Sequence, residues 1–339
     1  MRGQKVDSKL LLKIYDFMVK SRVLEERLIR MSKGGLGFFW IGGPGEEAFN
    51  VPLGLLIKKG EGLDNDFLHF HYRQSATLLA MGVPMIDVMR QMHNTATDLY
   101  SGGRNFVNHF AIKKWNVVNV TSPIEVQYAV SIGTGVAQKR NGGDAITIVT
   151  GGDAGTAEGE FASSLIWASR KGRELPILFI VTDNRYGIST PFKEVHCEKP
   201  IAVRAEAFGI KSATIDGNDP TVSYCAIEEA MRTVRKERKP FFLEARVSRL
   251  YGHSSASGAN WIEGETDCLP EFEKTLKAKK ILTADDCKKI KEKHEKESME
   301  ALKQVLKEPK PKPEEIFDQV FENRKDASIP WPRWHKRSD

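Results

Sequence analysis

Apolar and polar positions alternate in blocks along this chain, and the clearest block runs from 145 to 191. Two short apolar runs, 145–150 and 177–181, have the unbroken character of buried strands, and the apolar residues between them fall at helical spacing. Glycine-containing turns follow both runs. The pattern predicts one strand-helix-strand unit, the crossover that parallel strands require. Downstream, a strand over 212–216, a helix over 220–237 and a strand over 240–247 extend it into a doubly wound, mostly parallel α/β sheet flanked by helices. Upstream, Leu11, Ile14, Tyr15, Met18 and Leu28 recur near helical spacing, which predicts a helix over 8–31, capped by Asp7 or Ser8 and stopped at Gly34-Gly35. A further helix is expected over 125–139, with Ser122 as its cap and Pro123 at its first position. Residues 270–307 read as charged helices, 309–313 as a stiff proline linker, and Ile329 to His335 as an aromatic tail that needs burial. The resulting division is a helical extension (1–35), an α/β domain (36–260) and a charged helical extension with its tail (261–339).

Composition narrows the class. With 339 residues, 40% hydrophobic and 28% charged, the chain has the balance of a globular protein with a substantial core. The net charge of +6 owes much to the lysine-rich stretch from Lys274 to Lys312, which suits a solvated helical face. No basic-aromatic platform points to nucleic acid, and no apolar run is long enough to span a membrane. The four scattered cysteines, Cys197, Cys225, Cys268 and Cys287, argue for a reducing compartment rather than a disulfide framework or zinc site. The N-terminus lacks a signal-peptide pattern, and Asp7 and Asp16 fit an organellar leader poorly, so a bacterial cytosol is expected, or an organellar matrix once a leader is absent.

Candidate chemistry gathers where strands end. Gly151-Gly152-Asp153 follows one strand and Asp183-Asn184-Arg185-Tyr186 the next, and ligands of open parallel sheets bind beyond the carboxyl ends. Hard oxygen donors suit Mg2+: Asp153 and Asn184 supply two ligands and the Tyr186 carbonyl a third. A helix opening near Ala157 would turn free N–H groups toward an anion. The same residues also suit ordinary strand-end turns. The fork of Arg73 matches phosphate oxygens or a surface ion pair. His69 and His71 share a face if extended, but no third metal ligand accompanies them. The glycine-rich loop from Gly37 to Glu47 either admits a ligand or turns tightly around core aromatics. His109 alone reads as structural, and His253, in a polar loop after a strand end, as a proton donor or hydrogen-bond partner. Gly133-Thr134-Gly135 lacks a third glycine, and no P-loop signature occurs, which excludes those nucleotide folds.

Taken in order, Tyr72-Arg73, Ser122-Pro123-Ile124, Gly152-Asp153, Asp183 through Thr190 and Gly252-His253-Ser254 resemble the alpha subunit of the thiamine-diphosphate-dependent decarboxylating component of 2-oxo acid dehydrogenase complexes. Gly37 to Trp40, Gly45-Glu46-Glu47 and Asp216 to Asp219 look closer to the branched-chain than to the pyruvate type. The resemblance implies Mg2+ on Asp153, Asn184 and the Tyr186 carbonyl, cofactor contacts from Tyr72, Arg73, Ser122, Ile124, Gly152, Asp153, Ala154, Gly155, Asn184, Tyr186 and His253, and active-site roles for His253, His109 and Ser122. It also implies a beta subunit in an alpha2beta2 heterotetramer, a lipoyl-bearing acyltransferase core and a small 2-oxo acid substrate. Ser254 occupies a place that some relatives phosphorylate. Three departures stand out: Ala154 replaces a glycine, Thr182 and Asp183 stand where arginine and asparagine are usual, and Ser255-Ala256-Ser257-Gly258 lacks the usual acid. They motivate the alternative of a non-catalytic subunit that binds Mg2+ and diphosphate. A pyruvate or acetoin substrate is a third reading.

Overall fold

The computed structural model describes residues 6–197 and 199–317; the aromatic tail from Ile329 to His335 lies outside them. Five parallel strands form the central sheet: β1 (Phe67–His69), β2 (Thr147–Gly152), β3 (Ile177–Asp183), β6 (Lys211–Asp216) and β7 (Phe241–Arg246), in the spatial order β1-β2-β3-β7-β6. Strands β4 (Tyr186–Gly187) and β5 (Thr190–Pro191) form a separate two-residue hairpin just past β3. The strands sit in register so that Gly152 pairs with Thr182, and Asp183 with Arg246. Their carboxyl ends therefore open on one edge.

The period-two pattern explains both layers. Ile146, Ile148, Leu178, Ile180, Leu243 and Ala245 face one core, while Val149, Ile177, Phe179, Val181 and Phe242 face the other. The first core is covered by α1 (Ser8–Lys33), α2 (Glu47–Leu56), α3 (Ser75–Met81), α4 (Met85–Met92) and α9 (Pro220–Glu237). The second is covered by α5 (Val126–Asn141) and α6 (Gly159–Ser169), followed by the short α7 (Phe192–Val195) and α8 (Ala202–Glu206). Helices α10 (Cys268–Ala278) and α11 (Ala284–Val305) pack on α1 and α4, so the first core runs unbroken from Leu11 to Val305.

Helix α9 spans the expected residues, because Asp219 caps the N–H groups of Thr221 and Val222 and Pro220 sits at the first position. Asp7, rather than Ser8, caps α1 through Leu10 N. Two local expectations fail. The turn after β2 first tightens into a 3-10 segment, Ala154–Ala157, and the helix begins only at Gly159. Ser122 does not cap α5: that helix begins at Val126, preceded by Glu125 in a left-handed conformation (φ 66°) that a non-glycine residue adopts only under constraint.

Candidate active site at the strand ends

Asp153 is placed by β2 and buried at the mouth of the crevice. The backbone N–H groups of Ala154 and Asn184 face its carboxyl, yet Oδ2 has no hydrogen-bond partner. Burial, followed by the neighbouring Asp183, pushes its pKa up to about 7. Its own carbonyl accepts from His196 Nε2 at 2.8 Å, and Arg204 braces the arrangement by donating to His196 Nδ1 at 2.9 Å and to the Thr156 carbonyl at 2.8 Å. On the next strand, buried Asn184 accepts from Tyr186 N at 3.2 Å, which turns the Tyr186 peptide toward the same edge. The residue opposite Tyr186 is Pro191, which has no N–H to give the Tyr186 carbonyl.

An orphaned carboxylate oxygen, an amide oxygen and a carbonyl without a cross-strand donor form a hard-oxygen set that fits Mg2+. Among the described residues, no three His, Cys, Asp or Glu side chains cluster into a metal site. An ion here would complete its shell from water and an anionic ligand. The Ala154 methyl fits because residue 187 is glycine: a Cβ at Gly187 would lie 2.7 Å from it. Gly155 is required too, since a Cβ there would overlap the Glu125 carboxylate.

On the same edge, just past β1, stand Tyr72 and Arg73. Arg73 is buried: it donates to the Gly42 carbonyl, lies 3.8 Å from Glu46 and donates from Nη2 to His253 Nδ1 at 3.1 Å. With Nδ1 accepting, a neutral His253 carries its proton on Nε2. Burial, then Arg73 and Arg249, lower its pKa to about 4. Tyr72 lies edge-on to His253 with ring centroids 6.1 Å apart. His109 and Ser122 form a second pair. The Val107 carbonyl engages His109 Nδ1 at 3.1 Å, and Ser122 Oγ lies 3.1 Å from Nε2. A proton on Nδ1 leaves Nε2 to accept from the serine. Ser122 and Ile124 are exposed on the surface beside this crevice.

Four residues at the same place, His71, Glu46, Glu125 and Arg249, have no cofactor or catalytic role in the sequence analysis, where His71 is weighed only as half of a metal pair. His69 and His71 part company at the end of β1: His69 pairs with Thr134 at 2.9 Å, whereas His71 turns to within 4.0 Å of a Cβ position at Gly152 and lies tilted against Tyr72 with ring centroids 3.7 Å apart. Glu46 is fully buried, its Oε1 unpartnered and its pKa pushed up to about 7 by burial. Glu125 is buried beneath Gly151 and Gly155 with both carboxylate oxygens unpartnered, and burial raises its pKa strongly. Arg249, three residues past β7, is buried with Nε and Nη1 unpartnered. The available signal was position, since Arg249 and His71 both lie just beyond strand ends.

A profile of the dehydrogenase E1 component family matches residues 15–314. The 2-oxoisovalerate dehydrogenase subunit alpha of Bacillus subtilis is 30% identical over 271 residues, spanning 80% of this chain and 79% of that one. The mitochondrial 2-oxoisovalerate dehydrogenase subunit alpha of Homo sapiens is 27% identical over 321 residues, 92% of this chain and 70% of that one. The alpha 2 subunit of Arabidopsis thaliana, also mitochondrial, is 27% identical over 326 residues, 94% and 67% respectively. The chain belongs to the dehydrogenase E1 component family, among its alpha subunits of the branched-chain type.

Proposed function

We propose that this chain anchors thiamine diphosphate through Mg2+ and, with a beta subunit in an alpha2beta2 assembly, oxidatively decarboxylates a branched-chain 2-oxo acid and passes the acyl group to a lipoyl carrier. The observation that carries this reading is the orphaned Asp153 Oδ2 beside Asn184 and the Tyr186 carbonyl at the ends of adjacent parallel strands. Bound there, thiamine diphosphate would supply the carbon nucleophile and the electron sink for loss of CO2. The chain's own residues do the rest. Asp153, Asn184 and the Tyr186 carbonyl hold the metal, Gly152, Ala154 and Gly155 shape the backbone beside the diphosphate, and Arg73 offers it a guanidinium edge. Tyr72 walls the pocket. His253, neutral with its proton on Nε2, donates a hydrogen bond to developing negative charge at the substrate oxygen. Ser122 and His109 form a hydroxyl-imidazole pair that would serve the substrate side, and Ile124 would pack against the bound cofactor.

Two features support a beta partner. Ile124 just before α5, Val130 on α5, Ile166 and Trp167 on α6 and Ile188 in the hairpin turn are large, apolar and exposed, and exposed apolar surface of this kind suits an interaction surface. The described residues form one α/β domain, so the glutamate that activates the cofactor's aminopyrimidine is expected from a separate beta chain. The free cysteines suit a reducing cytosol. The altered residues Ala154 and Thr182 favour a second reading, a non-catalytic subunit that retains Mg2+ and diphosphate binding.

Co-purification with a beta partner, followed by calorimetric titration of thiamine diphosphate with and without Mg2+ and a CO2-release assay on branched-chain 2-oxo acids, pyruvate and acetoin, tests both. Metal-dependent binding that Asp153→Ala abolishes, with turnover of a branched-chain acid, is the expected result. Binding without turnover of any substrate supports the second reading. Binding indifferent to metal and mutation removes the proposed ligands.

A further inference from the structure

The crevice contains a cation and an anion that do not satisfy one another. Arg249 is 95% buried (5% exposed), and neither Nε nor Nη1 has a hydrogen-bond partner. Asp153, on the same edge of the sheet and close enough to influence Arg249 electrostatically, leaves Oδ2 equally unpartnered. A buried guanidinium without an acceptor is strongly unfavourable, and among the described residues no carboxylate is bonded to this one. Its backbone cannot readily swing away. Ser248 N donates to Asn218 Oδ1 at 3.1 Å, Leu250 N donates to the Pro44 carbonyl at 3.0 Å, and the Leu250 carbonyl accepts from Ile262 N at 2.9 Å. The guanidinium carbon sits 4.8 Å from the ring centroid of Tyr186, the residue whose carbonyl is a proposed metal ligand. Arg73 is the other nearby guanidinium and already has the Gly42 carbonyl, Glu46 and His253 Nδ1 as partners. Their mutual repulsion, added to burial, weakens Arg249's hold on its proton. At the end of β3, Thr182 is neutral and donates to the Gly151 carbonyl at 3.4 Å, while the Asp183 carboxylate already accepts from Arg185 N at 3.0 Å and Arg185 Nη1 at 3.2 Å.

A ligand that is a cation at one end and an anion at the other would satisfy both orphans at once. We infer that Arg249 is a diphosphate-binding residue, whose free Nε and Nη1 donate as a fork to phosphate oxygens of a metal-bound diphosphate seated between Asp153 and β7. Guanidinium forks match phosphate geometry, and the charge-assisted bonds they form are among the stronger hydrogen bonds. Arg249 then adds a second guanidinium beside Arg73, both of them close enough to act on His253. This inference rests on the proposed function and assigns a role that neither the motif residues nor the fold alone supplies.

The test uses the assembled alpha and beta chains and two probes, thiamine diphosphate with Mg2+ and inorganic pyrophosphate with Mg2+, titrated by calorimetry. Arg249→Gln is expected to weaken both about 10- to 100-fold, and Arg249→Lys, which keeps the charge without the fork, by less. The ligand-free melting temperature of Arg249→Gln should be at or above that of the wild type, because the variant removes an uncompensated buried cation, while the shift produced by either probe shrinks. Unchanged affinity in Arg249→Gln overturns the assignment and leaves the proposed function standing. A variant that loses the beta chain but keeps its pyrophosphate affinity also overturns it, since Arg249 would then serve a carboxylate of the partner. If the wild type binds neither probe, the functional reading fails and the inference fails with it. Should Arg249→Gln not fold, the Lys variant decides: affinity equal to wild type at both low and moderate salt counts against the fork.

Discussion

At the scale of single residues, Glu125 and Gly155 are one unit although thirty positions separate them. A Cβ at 155 would fall inside the van der Waals envelope of Glu125 Oε1, so the glycine exists to admit a buried carboxyl group. Gly155→Ala should therefore destabilise the chain by about 1–3 kcal/mol through overpacking, and Glu125→Ala in the same chain should restore most of it. Thermal melts of the two single variants and the double variant check this, and strict additivity would dissolve the pair. Asp153 gives a second residue-scale expectation. Its folded pKa, about 7, lies above the ordinary carboxyl value, so the ligand-free protein has this contribution to stability in full below the unfolded pKa near 4 and loses it as pH rises through 7. A divalent ion needs the carboxylate, so metal binding has the opposite slope. Affinity for Mn2+ alone should rise up to about tenfold per pH unit below 7 and flatten above it. Asp153→Asn should bind weakly with no such slope; an affinity that is flat between pH 5.5 and 8 in the wild type would contradict the assignment.

At the scale of elements, the exposed side of α5 and α6 is the least explained surface of the fold. Trp167 is half exposed on α6, with Arg170 stacked 3.8 Å from its ring, and Ile166 and Val130 lie exposed nearby on the same helices. Trp167→Asp should leave the isolated chain's melting temperature almost unchanged yet weaken association with the beta chain at least about tenfold, measured by size exclusion with light scattering. Equal assembly in both would show that this face is not the interface. The same scale shows what local pattern does and does not carry. β2, β3, β7 and α9 were legible because each is a strong periodic run bounded by turn residues, and the carboxyl ends of β2 and β3 could be foreseen to share an edge. β1 has three residues and too little pattern to declare itself. Ser122-Pro123 has every local mark of a helix start, but His109 claims the serine from thirteen positions away and the helix waits until Val126. β7 inserts between β3 and β6 in the sheet, and that order depends on packing rather than on any window of sequence. Arg249 becomes a candidate only once this order brings the end of β7 beside β3.

At the scale of the whole molecule, one buried cluster ties the first helix, the glycine-rich loop and the C-terminal helices to the sheet. Arg22 on α1 pairs with Glu47 at the start of α2 (Nε to Oε1, 2.7 Å) and with Asp267, the cap of α10 (Nη1 to Oδ2, 2.8 Å). Glu47 also accepts from Gly45 N at 2.7 Å, within the loop whose Gly42 carbonyl holds Arg73. The arrangement carries stability and site geometry together, because hydrogen bonds lead from Arg22 through Glu47 to Gly45 and from Gly42 to Arg73, joined by the backbone of the loop. Removing the guanidinium leaves Glu47 buried without its countercharge, and breaking a buried pair from one side costs about 3–5 kcal/mol. Arg22→Met should therefore lower the urea midpoint sharply, whereas Arg22→Met with Glu47→Gln should recover much of the loss, because the uncompensated charge is gone. The double variant should nevertheless bind thiamine diphosphate more weakly than the wild type, since the Gly42 carbonyl and hence Arg73 lose their brace. If the double variant recovers neither stability nor assembly, the cost lies in packing around α1 rather than in the charge. Full recovery of both stability and affinity would mean that the helices surrounding the sheet are held independently of the crevice they enclose.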